Sequence, residues 1–330
     1  MTRQWPACWS RTSGLTRALW PLEWLFRRSV RRRRDRLQRR APFIPAPVLV
    51  VGNLVVGGSG KTPLVIWLAQ LAAARGWRPG VVLRGYGGSL RGIERVAADA
   101  DPARVGDEAV VIARRTGVPV WVGRDRAAAA LAMVGECNVD FVISDDGLQH
   151  YRLQRDSEVA VVDAWRGAGN GHCLPAGPLR EPLARLAAVD CVIGKGGAAG
   201  AEGNRFDLIG DALVPLRESA PAPPVAGDRV HGIAGIGEPE RFFETLRERG
   251  FEVVGHAFGD HHRYRPADLP RGGADPLVVT EKDAVKLTGL APLNSFQLPV
   301  SARPDSATAD RLAALLETTR QRFNERRRRP

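Results

Sequence analysis

The sequence predicts an α/β protein: a doubly wound, mainly parallel sheet, a second and smaller α/β domain, and an N-terminal amphipathic helix. Three observations carry that expectation. Residues 47–63 run as apolar strand, glycine-rich turn and helix start. Asp140-Phe141-Val142-Ile143-Ser144-Asp145-Asp146-Gly147 is a second apolar strand, and it ends in paired carboxylates. Strand and helix stretches alternate between these two and on to about residue 215, the pattern of parallel βαβ units.

At 330 residues, 44% of them apolar, the chain can bury a large core and divide into more than one domain. Its net charge of +12 is lopsided. Residues 1–40 carry twelve Arg against Glu23 and Asp35, residues 320–330 carry six Arg against Glu325, and the stretch between carries −3. A nucleic-acid-binding body would hold the basic charge on its own surface, so no nucleic-acid partner is expected. The four cysteines (Cys8, Cys137, Cys173, Cys191) have no paired spacing, which indicates neither a zinc site nor a disulfide framework and suits a reducing cytoplasm. No run of 18 uncharged apolar residues is present, so a transmembrane helix is not expected.

In chain order, the first 40 residues form a basic arm, read apart from the body. Leu15, Leu19, Leu22 and Phe26 recur at helical spacing, Trp20, Trp24 and Leu25 widen the apolar face, and Pro21 starts or kinks the helix. Trp and Leu beside the following Arg block suit a helix lying in the interface of an anionic membrane. A solvated basic helix and an RNA-binding arm are the competing readings.

Next comes Gly57-Gly58-Ser59-Gly60-Lys61-Thr62, which makes the fold P-loop NTPase-like. Glycines let backbone N–H groups converge on phosphate oxygens, and the helix that follows points its positive end at the same anion. Lys61 can reach the outer phosphates of ATP and the Thr62 hydroxyl can ligate Mg2+. The usual motif has glycine where this chain has Val55. The strand-end acids Asp145 and Asp146 are the matching magnesium candidates, and alternation along a strand requires only one of them to face the metal.

Val81-Val82-Leu83 reads as a strand with a flexible glycine-rich exit, Arg84-Gly85-Tyr86-Gly87-Gly88, at the end of the sheet where open α/β folds bind ligands. Asp107 and Glu108 open a helix running to about Arg115, and capping alone also accounts for them. Val118–Val122 is a strand, Arg124–Gly135 a helix, Glu158–Trp165 a strand, and Pro175–Pro182 opens a helix carrying Arg180 and Glu181. Pro221-Ala222-Pro223-Pro224 reads as a linker, giving expected units of 1–40, 41–220 and 221–330. The last unit should hold strands at Val230–Ile236, Val253–Phe258 and Leu277–Thr280, with helices at Pro239–Arg249 and Ala307–Arg322. Its polar clusters are Phe258–Tyr264, containing His261 and His262, and Thr280-Glu281-Lys282-Asp283.

With those residues in hand, the chain resembles the tetraacyldisaccharide 4′-kinase (lipid A 4′-kinase) family. The matching segments are Val51–Leu54 with Gly57–Pro63, Arg84–Gly87, Gly106–Glu108, Ser144–His150, Gly177–Glu181, Phe258–Tyr264 and Thr280–Lys286. Asp145-Asp146-Gly147-Leu148-Gln149-His150 is the most distinctive of them, and the family shares the non-glycine at Val55. The resemblance implies an ATP- and Mg2+-dependent lipid kinase that phosphorylates the 4′-hydroxyl of an acylated glucosamine disaccharide 1-phosphate to give lipid IVA. It also implies a peripheral protein on the cytoplasmic face of the inner membrane. By the same resemblance Asp107 would be the general base, oriented by His261 with His262 as fallback, and Lys61 would neutralise developing charge. Tyr86, Glu108, Arg126 and Arg180 would contact substrate or nucleotide. The alternatives are a P-loop ATPase switch of the metal-insertion or partitioning type and a nucleic-acid-binding NTPase.

Overall fold

In the computed structural model, residues 6–58, 60–164, 167–196, 203–270 and 275–328 are described. Ser59 of the glycine-rich turn and Trp165, the expected end of a strand, lie outside them. The chain opens with helices α1 (Ala7–Ser10), α2 (Gly14–Ala18) and α3 (Trp20–Gln38). It continues as β1 (Val48–Gly52), α4 (Lys61–Ala74), β2 (Pro79–Leu83), β3 (Ile93–Arg95), α5 (Pro102–Val105), α6 (Asp107–Thr116), β4 (Val120–Gly123) and α7 (Arg126–Cys137). Then come β5 (Phe141–Ser144), β6 (Ser157–Asp163), β7 (Cys191–Lys195), β8 (Arg205–Gly210) and β9 (Val214–Pro215). The remainder is β10 (Arg229–Ala234), α8 (Pro239–Glu248), β11 (Glu252–Ala257), β12 (Leu277–Thr280), α9 (Glu281–Ala284), β13 (Ser295–Leu298), β14 (Val300–Pro304) and α10 (Ser306–Arg328).

A strand buried on both faces reads as a continuous apolar run, and alternate residues then enter different cores. Leu49 and Val51 enter one apolar cluster, with Val81, Leu83, Phe141 and Ile143. Val48, Val50, Val82 and Val142 enter a second cluster on the opposite face. The result is a nine-stranded sheet, ordered β14-β8-β7-β6-β1-β5-β2-β4-β3, parallel except where β3 and β14 pair antiparallel at its edges. A five-stranded sheet, β11-β10-β12-β13-β9, forms separately and is parallel except at β9.

The sheets do not divide at residues 220 and 221. β9 joins the smaller sheet, while β14 returns to the large one and α10 packs Leu312, Leu315 and Leu316 into its core. The C-terminal segment therefore straps the two units together. The helix expected to open at Pro175–Pro182 begins only after it, as a short 3-10 helix at Leu183–Ala188. Residues 178–180 instead run beside the glycine-rich turn, with Val56 N–H donating to Pro178 O at 3.0 Å and Arg180 N–H to Leu54 O at 2.7 Å. Val55 forms an isolated bridge with Leu179 and packs on the second core, which accounts for a branched apolar residue where the general motif has glycine.

The arm is docked rather than detached. Glu23 is buried and accepts hydrogen bonds from Cys173 N–H at 2.9 Å and, at 2.8 Å, from the His172 ring. Trp20 stacks on that imidazole, and Trp9 Nε1 donates to Pro175 O at 3.0 Å. Phe26, expected on the outer apolar face, turns inward against the second core, whereas Leu22, Trp24 and Leu25 stay exposed. Two bonds to one carboxylate should hold α3 down. Glu23→Ala is expected to speed tryptic release of the arm about tenfold or more, since charge-assisted bonds contribute roughly 1.5–3 kcal/mol. Time-resolved digestion of both chains measures this, and equal rates would contradict it.

Candidate functional site

The site begins where β1 ends. Gly60 adopts a left-handed φ of 69°, letting the chain turn directly into α4 with Lys61 and Thr62 in its first turn. β5 is the neighbour of β1 in the sheet, and Val50 pairs with Ser144, so the acids that follow Ser144 arrive beside this turn. The two acids part company there. Thr62 Oγ1 donates to Asp145 Oδ2 at 3.1 Å, while Asp146 lies 3.2 Å from Lys61 Nζ and 3.0 Å from Arg180 Nη1. Arg126 reaches the same place from α7, donating to Asp146 O at 2.7 Å.

Their electrostatics differ accordingly. Burial, together with the nearby Glu108 carboxylate, pushes Asp145 up to about 6. Burial would raise Asp146 as well, but Lys61, Arg180 and Arg126 outweigh it and hold that carboxyl well below the ordinary range. Asp145 Oδ1 is buried and makes no hydrogen bond. An orphaned carboxylate oxygen beside a threonine hydroxyl is a hard oxygen donor set, which fits a magnesium ion that takes its remaining ligands from water and phosphate. Among the described residues no cluster of three His, Cys, Asp or Glu side chains forms an all-protein metal cage.

Gln149 braces this corner, its Nε2 donating to Asn53 O at 3.1 Å and to Glu181 Oε1 at 2.9 Å. Arg180 and Arg126, expected to meet substrate or nucleotide, are both turned onto Asp146. Lys195, which the sequence did not single out, lies across the turn: a Cβ added to Gly60 would fall 2.8 Å from its Cδ. Lys195 pairs with Asp163 at the end of β6, and Arg241 of the smaller unit comes within 3.9 Å of that carboxylate.

The second half of the site joins the two sheets. Asp107 is the first residue of α6, and Gly106 before it has φ 91°; a Cβ there would sit 2.7 Å from Tyr86 O. The glycine-rich exit of β2, expected to be flexible, is locked to the approach to α6, with Ser89 N–H donating to Ala103 O and Leu90 N–H to Arg104 O, both at 3.0 Å. From the loop after β11, His261 Nδ1 meets Asp107 Oδ2 at 3.0 Å. His261 has φ 60°, and Gly87 leaves room for its ring, since a Cβ on Gly87 would lie 3.0 Å from Nδ1. Tyr86, largely exposed, sets its ring edge-on to the imidazole at 5.0 Å. His262 points elsewhere, stacking on Phe258 and hydrogen-bonding Asp268 at 3.1 Å.

Two further cations come from α9 and the turn after it. Lys282 pairs with Glu108, and Lys286 lies 3.9 Å from Asp107 Oδ2 and 2.8 Å from Asp283. Both were within a segment singled out from the sequence, though not as site residues; their i, i+4 spacing was the available signal. Burial would raise Asp107, but the His261 hydrogen bond and the charges of Lys282, His261 and Lys286 hold it below the ordinary carboxylate range. His261 is raised above 6.5, first by its hydrogen bond to Asp107, against the opposing effect of burial. The arrangement can bind polyphosphate at the turn and hold an ionised carboxylate on the partner side of the same cleft.

The tetraacyldisaccharide-1-P 4′-kinase (LpxK) family matches residues 15–318. A tetraacyldisaccharide 4′-kinase of Alkalilimnicola ehrlichii is 53% identical over 321 residues, covering 94% of this chain and 96% of its own. That of Azotobacter vinelandii is 48% identical over 318 residues, covering 93% and 95%. Among solved structures, the "apo" form of LpxK from Aquifex aeolicus in complex with ATP superposes with a TM-score of 0.74 at 26% identity, covering 92% of this chain and 99% of that one.

The Asp107–His261 pair carries a pH signature. His261 is raised, so its contribution to stability is fully present below about pH 6.5 and fades as pH climbs through the elevated value. Asp107 is lowered from 3.8, so its contribution holds above that and fades only as pH falls through the depressed value. The gap in thermal midpoint between the natural chain and His261→Ala should therefore be widest between about pH 4 and 6.5 and shrink toward pH 9. Thermal unfolding of both across that range measures it, and a gap independent of pH would contradict the pairing.

Proposed function

The chain belongs to the tetraacyldisaccharide-1-P 4′-kinase family, and from that premise we propose how its own residues carry out the reaction. The protein is an ATP-dependent lipid kinase of lipid A biosynthesis, transferring the γ-phosphoryl group to the 4′-hydroxyl of the tetraacyl disaccharide 1-phosphate. In the proposed site, Gly57, Gly58 and Gly60 offer backbone N–H groups to the phosphates at the start of α4. Lys61, Arg180 and Arg126 converge on Asp146, and a triphosphate competes with that carboxylate for the same cations. Asp146 thus keeps them aimed into the cleft before nucleotide arrives. Thr62 and Asp145 would hold magnesium, which when bound would supply positive charge to offset that of the phosphates.

The observation that supports the acceptor chemistry is the hydrogen bond from His261 to Asp107, made between the loop after β11 of the smaller sheet and the start of α6, which packs on the large one. Asp107 Oδ1 accepts from Glu108 N–H at 2.8 Å and Oδ2 accepts from His261, which fixes the carboxylate while leaving lone pairs on both oxygens. We assign Asp107 the proton of the attacking hydroxyl. A depressed pKa suits this role better than it first suggests. Phosphoryl transfer passes through a loose transition state, so orienting the alcohol matters more than strong basicity. Asp107 is only 3% exposed with the units together, so the acceptor must enter while they are apart and be enclosed as they meet. Glu108 and Tyr86 border that entrance.

A substrate with four acyl chains stays in a bilayer, and the exposed Leu22, Trp24 and Leu25 beside the arm's arginines support peripheral attachment to an anionic membrane surface. Among the described residues no helix is long and apolar enough to cross a membrane.

Transfer of labelled γ-phosphate from ATP to purified disaccharide 1-phosphate lipid in detergent tests the reading. Asp107→Ala should lower kcat by roughly two to four orders of magnitude while ATP binding persists. Near-normal turnover of that variant would remove Asp107 from the chemistry.

A further inference from the structure

The arginines at the C-terminus divide into two kinds. Arg320 lies over the Trp77 ring at 4.7 Å, Arg322 donates to Asp190, and Arg326 donates to Asp156 at 2.6 Å. These fasten the last turns of α10 to the body. Arg327 and Arg328 are exposed.

The place where they emerge is the foot of the N-terminal arm. Arg326 Nη2 donates to Ile44 O at 3.4 Å, and its guanidinium stacks over the rings of Phe43 at 5.4 Å and Phe323 at 5.3 Å. Those two rings stack on each other at 6.2 Å. Arg40 is only three residues before Phe43, so the chain between them spans at most about 11 Å. That is comparable to the screening length of about 8 Å at physiological salt. Two arginine blocks from opposite ends of the sequence therefore flank the same pair of stacked rings.

From there α3 carries the same character outward. Arg36, Arg32 and Arg28 are exposed at helical spacing and lead to Leu25 and Trp24 on the same side, with the Arg28 guanidinium 5.6 Å from the Trp24 ring. Leu22, Trp24, Leu25 and Phe43 are between 48% and 61% exposed, unusual for large apolar side chains grouped with so much charge.

We propose that these residues form one continuous face for an anionic lipid bilayer, with Arg327 and Arg328 as its second basic anchor beside Phe43. The proposal rests on the lipid-kinase reading for its purpose, though not for its geometry. A bilayer fits better than RNA or DNA because a phosphate backbone would leave the exposed Trp, Leu and Phe side chains uncovered, whereas the headgroup boundary takes both kinds of group. The residues between the two basic ends carry −3, which confines attraction to this face. Two anchors about the foot and length of α3 would fix the angle at which the molecule sits, where a single arm would let it swing.

The full chain can be co-sedimented with phosphatidylcholine vesicles that do or do not contain phosphatidylglycerol, at physiological salt. The natural chain should favour the anionic vesicles. Combining Arg327→Ala with Arg328→Ala should lower its partition into them by roughly tenfold to thirtyfold, the effect of two basic residues near such a surface. The thermal midpoint should not change, because both lie in the last turn of α10. An unchanged partition would overturn the proposal, as would an equal loss on vesicles lacking phosphatidylglycerol. Loss of RNA binding with unchanged vesicle binding would also overturn it, in favour of nucleic acid. Phosphate transfer by the natural chain in detergent is read separately: its absence, alongside a tail-dependent partition, would remove the kinase reading and leave this surface standing.

Discussion

One hydrogen bond, from the His261 imidazole to the Asp107 carboxylate, determines what the rest of the molecule must do. Its partners come from different units, the start of α6 and the loop after β11, and each is held in an unusual way. Asp107 follows a glycine at positive φ, and His261 itself has a left-handed backbone. Three non-glycine residues among those described have positive φ. Asn138 is an ordinary helix end, and the other two, Asp146 and His261, are in the site. Such backbone persists only where surrounding contacts over-determine it. Here the glycine-rich exit of β2 and Lys286 enclose the pair, and Lys282 adds its charge beside Glu108.

Across the cleft, a carboxylate is again used to gather charge. Asp146 holds Lys61 and Arg180 while Asp145 is left with an unpartnered oxygen, so adjacent residues of one strand end have opposite electrostatic fates. Neither property belongs to the strand alone. The segment at 178–180 runs along the glycine-rich turn, supplies Arg180, and occupies Val55 in a strand-like bridge. The turn is thus braced from outside.

Much of this was legible in the sequence, for physical reasons. Strands buried on both faces, such as Val48–Gly52 and Phe141–Ser144, announce themselves as apolar runs. Edge strands do not: Arg205–Gly210 alternates exposed and buried positions and pairs with Val300–Pro304 a hundred residues away, so nothing local marks either one. The helix α10 was expected at Ala307–Arg322, but β14 and its return to the large sheet were missed for that reason. The phosphate loop and the strand-end acids could be found from residue order, but which acid faces the threonine depends on the turn after β5. Likewise His261 and His262 are indistinguishable in sequence. The left-handed turn at His261 decides the matter by sending one ring toward Asp107 and the other onto Phe258. Lys195 carried no sequence signal, because only the fold brings it over Gly60.

If Asp107 and His261 act as a unit formed by the meeting of two sheets, their losses cannot add. A double-mutant cycle on kcat/KM with Asp107→Asn, His261→Gln and the combined variant measures this most directly. The pair acting together predicts that the double variant is scarcely slower than the worse of the two single ones. Losses that multiply independently would contradict it.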